Sequence, residues 1–325
     1  MVPILALLAG CGSGGHATQS TRASAPGVRA KRNAPAPAAI KLSYRRLYSL
    51  PAPLRDPAFA TLGGGRFALL GGLDAADVSS SGVLVADGRR VLSTASLPGP
   101  QHDAQGALIN GSVYVFGGGD VSELDHILRF DPRTGSVSAA GSLPHPASDV
   151  AVAANGDTAY VVGGYDGTTA FNTILSWRPG STARVVGRLP LELRYAAVTV
   201  ADGGLLVIGG STPTAASNAI FRFDLTTHKV RQIGTLPKPT THGSAATLGS
   251  SAYLLGGRGD LLQSQTDRVW AINPVTGRVR PAGRLPSPIS DAAAFEIGGA
   301  ITVVGGQTPT STLDQVGELV PVPAR

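Results

Sequence analysis

One cysteine, one methionine and two tryptophans are all that this 325-residue chain contains of those residue types. The lone Cys11 excludes an internal disulfide framework. Beyond residue 10 the apolar runs stop at five or six residues, far short of the roughly 20 that span a bilayer as a helix. Amphipathic helices are missing too. Apolar residues at i, i+3, i+4 and i+7 are nowhere sustained over three turns, and 43 Gly and 24 Pro would interrupt any helix that began. There is no Gly-x-Ser-x-Gly, no phosphate-binding glycine loop and no His-Glu-x-x-His. The six histidines are scattered, so neither a metal site nor a cofactor is expected.

What the chain does have is a period. Six short apolar runs close on Gly-Gly, ending at Gly72, Gly118, Gly164, Gly210, Gly257 and Gly306, at spacings of 46, 46, 46, 47 and 49 residues. A Leu-Pro pair keeps the same register, at Leu50, Leu97, Leu143, Leu189, Leu236 and Leu285. Each unit reads as four strands. A small-residue run leads through an Asn/Asp/Gly turn to the Gly-Gly run, which is short and β-branched enough to be buried on both faces. A third run follows, such as 126–130 or 173–177, and then a turn such as Asp131-Pro132 or Asn273-Pro274. A weaker fourth run leads to the next Leu-Pro. Four antiparallel strands in about 46 residues is the size of a propeller blade. The fold class is therefore all-β, a β-propeller over residues 41–325.

The sixth unit offers only three strands, near 291–297, 300–304 and 313–319. At the other end, 41–50 reads as an isolated fourth strand with its own Leu-Pro. Tyr44 stands six residues before its Leu, as Val91, Val137, Val230 and Val279 stand before theirs. The expectation is six blades, with residues 41–50 completing the last and covering its open edge.

The repeated apolar run with Gly-Gly, followed by a Phe-Asp-Pro or equivalent turn, resembles the kelch repeat across 41–325. A tryptophan usual in the fourth kelch strand is absent, and Trp177 and Trp270 fall in third strands, where inter-blade packing is expected of them. The Ala-, Gly- and Arg-heavy composition fits a divergent bacterial member. Kelch-type blades also build galactose oxidase, whose copper site needs a Tyr–Cys cross-link that Cys11 cannot supply from the N-terminal segment. The resemblance extends to the six-bladed sialic-acid mutarotases, which act through carboxylate and arginine groups. Here Glu192 and Arg194 share one loop and are the alternative catalytic pair.

Residues 1–10 form a short apolar segment whose end, Leu8-Ala9-Gly10-Cys11, is similar to a bacterial lipobox. That resemblance implies a lipoprotein signal peptide, a lipidated Cys11 and attachment to the extracytoplasmic face of the cell membrane. Residues 11–40 are an Ala/Pro/Ser/Gly tether, disordered by composition. They carry Arg22, Arg29, Lys31 and Arg32 and no acid. Four of the formal +6 charges thus lie in the tether, leaving +2 for the rest, and nucleic acid is not expected as a partner.

Alignment on Leu-Pro produces one ring of residue pairs: Arg55-Asp56, His102-Asp103, Ser148-Asp149, Arg194-Tyr195, Thr241-His242 and Ser290-Asp291. In a propeller this position lies at the mouth of the central channel. The repeated Asp fits an architectural role, accepting backbone N–H bonds from its own turn or the adjacent blade. The broken symmetry at Tyr195 and His242 fits a ligand site. The ligand-binding candidates are Arg55, Asp56, His102, Asp103, Asp149, Arg194, Tyr195, His242 and Asp291. Loops at 74–77, 165–167 and 258–260 would form the rim, the last spelling Arg-Gly-Asp. The expected activity is non-enzymatic binding of a protein or glycan of the cell envelope. A carbohydrate mutarotase or epimerase is the alternative, and an assembly scaffold the smaller one.

Overall fold

The computed structural model describes residues 40–322, so the lipobox-like segment and the tether up to residue 39 lie outside the described residues. Every element within them is a β-strand, and no helix among them is long and apolar enough to cross a membrane. The strands form six four-stranded antiparallel sheets. Blades one to five cover 58–101, 105–142, 151–188, 197–235 and 244–289 in chain order. The first strand of each blade packs on the first strands of both neighbours, and blade six packs back on blade one.

Blade six takes its outer strand from the other end of the chain. Leu42–Ser49 pairs antiparallel with Gln315–Pro321, placing Tyr44 opposite Leu319. This is the closure expected from the Leu-Pro register. Leu42 and Tyr44 pack into the apolar cluster shared by blades five and six.

The two sequence markers have separate physical causes. All six Leu-Pro leucines are buried, so each outer strand anchors its blade by one aliphatic side chain. In blades one and five the outer strand runs on through Leu-Pro, as Val91–Gln101 and Val279–Ile289. Proline is tolerated there because the outer edge of a blade has no further ladder partner. The Gly-Gly pair ends a second strand that is buried along its whole length in blades two to six. Both glycines have positive φ in every blade. The second donates its N–H to the chain entering the next blade, as from Gly118 to the Ala147 carbonyl at 2.8 Å. A Cβ on the first would collide with that same carbonyl.

Hydrophobic clusters lie between neighbouring blades. Trp177 is fully buried in one of them, 4.9 Å from the Tyr114 ring centroid and 5.4 Å from that of Phe116. Trp270 is only half-buried; besides packing on the blade four–five cluster it lines an outer cleft. The first strands of blades three, four and six start two residues after Asp149, Tyr195 and Asp291, at Ala151, Ala197 and Ala293, whereas the sequence pattern places the start of the sixth near 291. The reason is conformational, since Asp149, Tyr195 and Asp291 adopt φ of 56°, 52° and 62°, which no strand accommodates.

Candidate functional site

Six residues meet where the chain enters each blade: Asp56, Asp103, Asp149, Tyr195, His242 and Asp291. All six lie in the left-handed region, with φ between 50° and 62°. A non-glycine residue there costs about 1–2 kcal/mol, and six in a circle need a common compensation. Backbone hydrogen bonds supply it. In five of the six, the N–H donates to the carbonyl of the counterpart in the preceding blade: Asp149 to Asp103 (2.9 Å), Tyr195 to Asp149 (3.1 Å), His242 to Tyr195 (3.3 Å), Asp291 to His242 (3.0 Å) and Asp56 to Asp291 (3.0 Å). The architectural role expected of the carboxylates therefore falls to the main chain. No backbone N–H among the described residues donates to a ring carboxylate. These side chains instead line a central cavity of about 80 Å³, walled below by residues such as Val152 and Val198.

Crowding four carboxyls into this cavity reshapes their acidity. Burial raises Asp56 and Asp103 well above the ordinary carboxylate range, and a neighbouring negative charge adds to the effect in each case: Asp291 on Asp56, Asp149 on Asp103. Burial also raises Asp149 and Asp291, where Arg194 and the Ser290 hydroxyl respectively oppose it. The side chains bond in two pairs, Asp56 with Asp291 and Asp103 with Asp149. Within each pair burial and the partner's charge favour the protonated form of Asp56 and of Asp103, because adjacent buried carboxylates resist joint ionisation. The Tyr195 hydroxyl donates to Asp103 Oδ2 at 3.0 Å, and burial, with the nearby Asp149 charge adding to it, keeps the phenol protonated.

The two symmetry-breaking residues stack on each other, Tyr195 on His242 with centroids 3.7 Å apart. Burial, then the charges of Arg258, Arg194 and Arg55, hold His242 well below its ordinary value. It is neutral. Arg258 Nη2 lies 3.0 Å from His242 Nε2 and can only donate, which leaves the proton on Nδ1, facing Thr241 Oγ1 at 3.0 Å. The Thr241 hydroxyl in turn meets Ser211 Oγ at 2.7 Å.

Above this side of the ring opens a second, larger cavity of about 690 Å³, between the mouth loops of blades three, four and five. Tyr165, Glu192, Arg194, Tyr195, His242 and Arg258 line it, with Thr168, Thr169, Ser211 and Thr212. Arg194 is ion-paired with Asp149, and its guanidinium carbon lies 4.0 Å over the Tyr165 ring. The ring positions thus divide. Tyr195 and His242 line both the central cavity and this pocket, joined in the pocket alone by Glu192 and Arg194. Arg55 and His102 lie across the ring, Arg55 bonded to Asp56 (3.2 Å) and Asp77 (2.6 Å), His102 Nδ1 to Ser79 (3.0 Å). Of the Arg258-Gly259-Asp260 triplet, Asp260 is occupied by the Ala216 N–H of the adjacent blade. The sequence pattern missed the part played by Ser211 and Thr212. They follow the Gly-Gly of blade four directly, which places them on the mouth face.

The fold and the site define a class, a six-bladed propeller with an asymmetric polar mouth. The Kelch motif family matches residues 102–144 and 193–237, which are blade two and blade four with the loops leading into them. The solved structure titled "Structure of YjhT" superimposes with a TM-score of 0.72 at 18% identity, covering 83% of this chain and 96% of that chain. No curated protein sequence matches the chain. The chain thus carries Kelch motifs on a six-bladed frame, an architecture that by itself selects no activity.

Proposed function

We propose that this protein is a binding propeller, held at the outer face of the cytoplasmic membrane through its N-terminal segment, whose mouth pocket takes a saccharide-sized, polyhydroxylated ligand. The observation that carries the reading is the lining of the 690 Å³ cavity. Two guanidiniums, one carboxylate, four hydroxyl side chains and the Tyr165 ring converge there. A sugar offers the complement, hydroxyls around its rim and apolar C–H groups on its face. The volume falls within the range of small-ligand sites. An envelope glycan, free or carried on a protein, meets these requirements.

Titration calorimetry against envelope saccharides tests the reading. Arg194→Ala and Tyr165→Ala are each expected to weaken binding at least about tenfold, the cost of losing a hydrogen bond to a charged group or a ring platform. Saccharide binding that survives both changes would move the site to the side wall of the propeller.

One feature supports a second reading, acid–base chemistry on the bound sugar. Glu192 shares the pocket with Arg194, while Tyr195 and His242 join it to the proton-holding carboxyls of the ring. Anomer exchange followed by NMR separates the two, because a binder leaves the exchange rate unchanged and a mutarotase does not.

A further inference from the structure

Charge is sorted between the two ends of the propeller, although its total is small. The loops on the mouth face, those between blades and those after each Gly-Gly, hold thirteen Asp or Glu and four Lys or Arg. The turns on the opposite face hold three acids and, counting Lys41, seven cations. The cations of that far face follow the blade symmetry. Arg89, Arg133, Arg178, Lys229 and Arg278 sit in the turns between third and fourth strands of blades one to five, and Lys41 opens the closing strand of blade six. All six are exposed. Arg89, Lys229 and Arg278 take part in no ion pair among the described residues, whereas Arg133 and Arg178 have one each.

The chain also enters the propeller from this face. Leu42 pairs with Pro321 at the far end of blade six, while Ser49 pairs with Gln315 at the mouth end. Ile40 is held by Tyr253, with its N–H 3.2 Å from the hydroxyl, and it lies beside the first turn of blade five. The chain therefore enters the propeller on the basic side, and the sequence before Ile40 carries four cations and no acid. Exposed Val275, Ile40 and Val322 add apolar surface there. The mouth rim has larger apolar tips in Val121, Leu261 and Leu262, but they stand among the carboxylates.

We propose that the face opposite the mouth is a docking surface for an anionic lipid bilayer, which seats the propeller with its ligand pocket turned away from the membrane. A planar partner fits the geometry. Six cations spread around one end of a cylinder can reach a flat charged surface together, and each Lys or Arg near such a surface is attracted separately. A nucleic-acid strand fits less well, because among the described residues no Phe, Tyr or Trp is exposed to stack a base. The proposal requires neither lipidation of Cys11 nor any particular ligand in the pocket.

The test uses the full chain with Cys11→Ser, so that no lipid anchor contributes, and sedimentation with phosphatidylglycerol or phosphatidylcholine vesicles. Binding is expected to phosphatidylglycerol alone and to fall with salt. Combined Arg89→Gln, Lys229→Gln and Arg278→Gln should lower partitioning about a hundredfold, on the scale of about fivefold per charge. Combined Arg46→Gln, Lys238→Gln and Arg284→Gln on the mouth half should change it little. A fluorophore on Val275→Cys should be quenched by a lipid-borne quencher, and one on Val121→Cys should not. Equal loss from the two triple variants, binding without anionic lipid, quenching at Val121, or tighter binding to single-stranded DNA than to the vesicles would each overturn the proposal.

Discussion

Gly163→Ala is expected to cost about 4 kcal/mol of folding stability, as much as a severe core lesion, while Gly156→Ala costs only about 1 kcal/mol. The comparison is controlled by the backbone itself. The two glycines sit in the same blade at φ of +63° and +62°, so both substitutions carry the same left-handed strain. They differ in what the new methyl group meets. Nothing lies within 4 Å of a Cβ at Gly156, in the exposed turn between first and second strands. At Gly163 it collides with the carbonyl of Leu193, the acceptor of the Gly164 N–H at 3.0 Å. Relief requires the chain entering blade four to move outward, which breaks that hydrogen bond and draws Arg194 and Tyr195 away from the ring. Chemical denaturation of both variants measures the difference. A saccharide-binding assay on folded Gly163→Ala should also show a loss that Gly156→Ala does not. Equal stabilities would mean that the recurring glycine answers only to backbone dihedral preference and not to the approach of the next blade.

The legible part of this molecule is the part that repetition encodes. Leu-Pro and Gly-Gly recur because each blade must bury the same leucine and admit the same carbonyl. Aligning them therefore places Asp56, Asp103, Asp149, Tyr195, His242 and Asp291 in one ring from the sequence alone. What no alignment expresses is the conformation those six share. Left-handed φ at Asp is common enough, but at Tyr195 it appears only when the backbone circle imposes it. The pairing of Asp56 with Asp291 and of Asp103 with Asp149 was equally hidden, since it depends on which neighbours lean together around the axis. The off-axis pocket was partly visible. Tyr165 and Arg258 stood in loops expected at the rim, but that three particular blades leave room between their loops is a matter of side-chain volume. Ser211 and Thr212 looked like ordinary loop residues for the same reason.

Asp56→Asn combined with Asp103→Asn should make the protein more stable at pH 8, by about 1–4 kcal/mol, the scale seen when buried ionic groups give way to neutral ones. Aspartate at both positions is held protonated by burial and by its charged neighbours, and asparagine copies that form. Its amide N–H₂ can donate to Asp291 or Asp149 as the acid proton does, and its carbonyl can accept from Arg55 or from the Tyr195 hydroxyl. Asparagine also tolerates left-handed φ as well as aspartate does. The pH dependence fixes the sign. A carboxyl whose folded pKa is raised stabilises fully below its unfolded value of 3.8, and that contribution is lost as pH rises toward the folded value. The parent should therefore gain stability from these groups on acidification from neutrality toward pH 4. His102, His126 and His242 oppose it, because burial depresses each of them and their contribution is lost as pH falls below 6.5. Subtracting the variant's stability from the parent's at each pH cancels the histidines. The difference should be largest at pH 8 and shrink toward zero near pH 4. A difference that does not change with pH would mean that Asp56 and Asp103 are ionised in the folded ring.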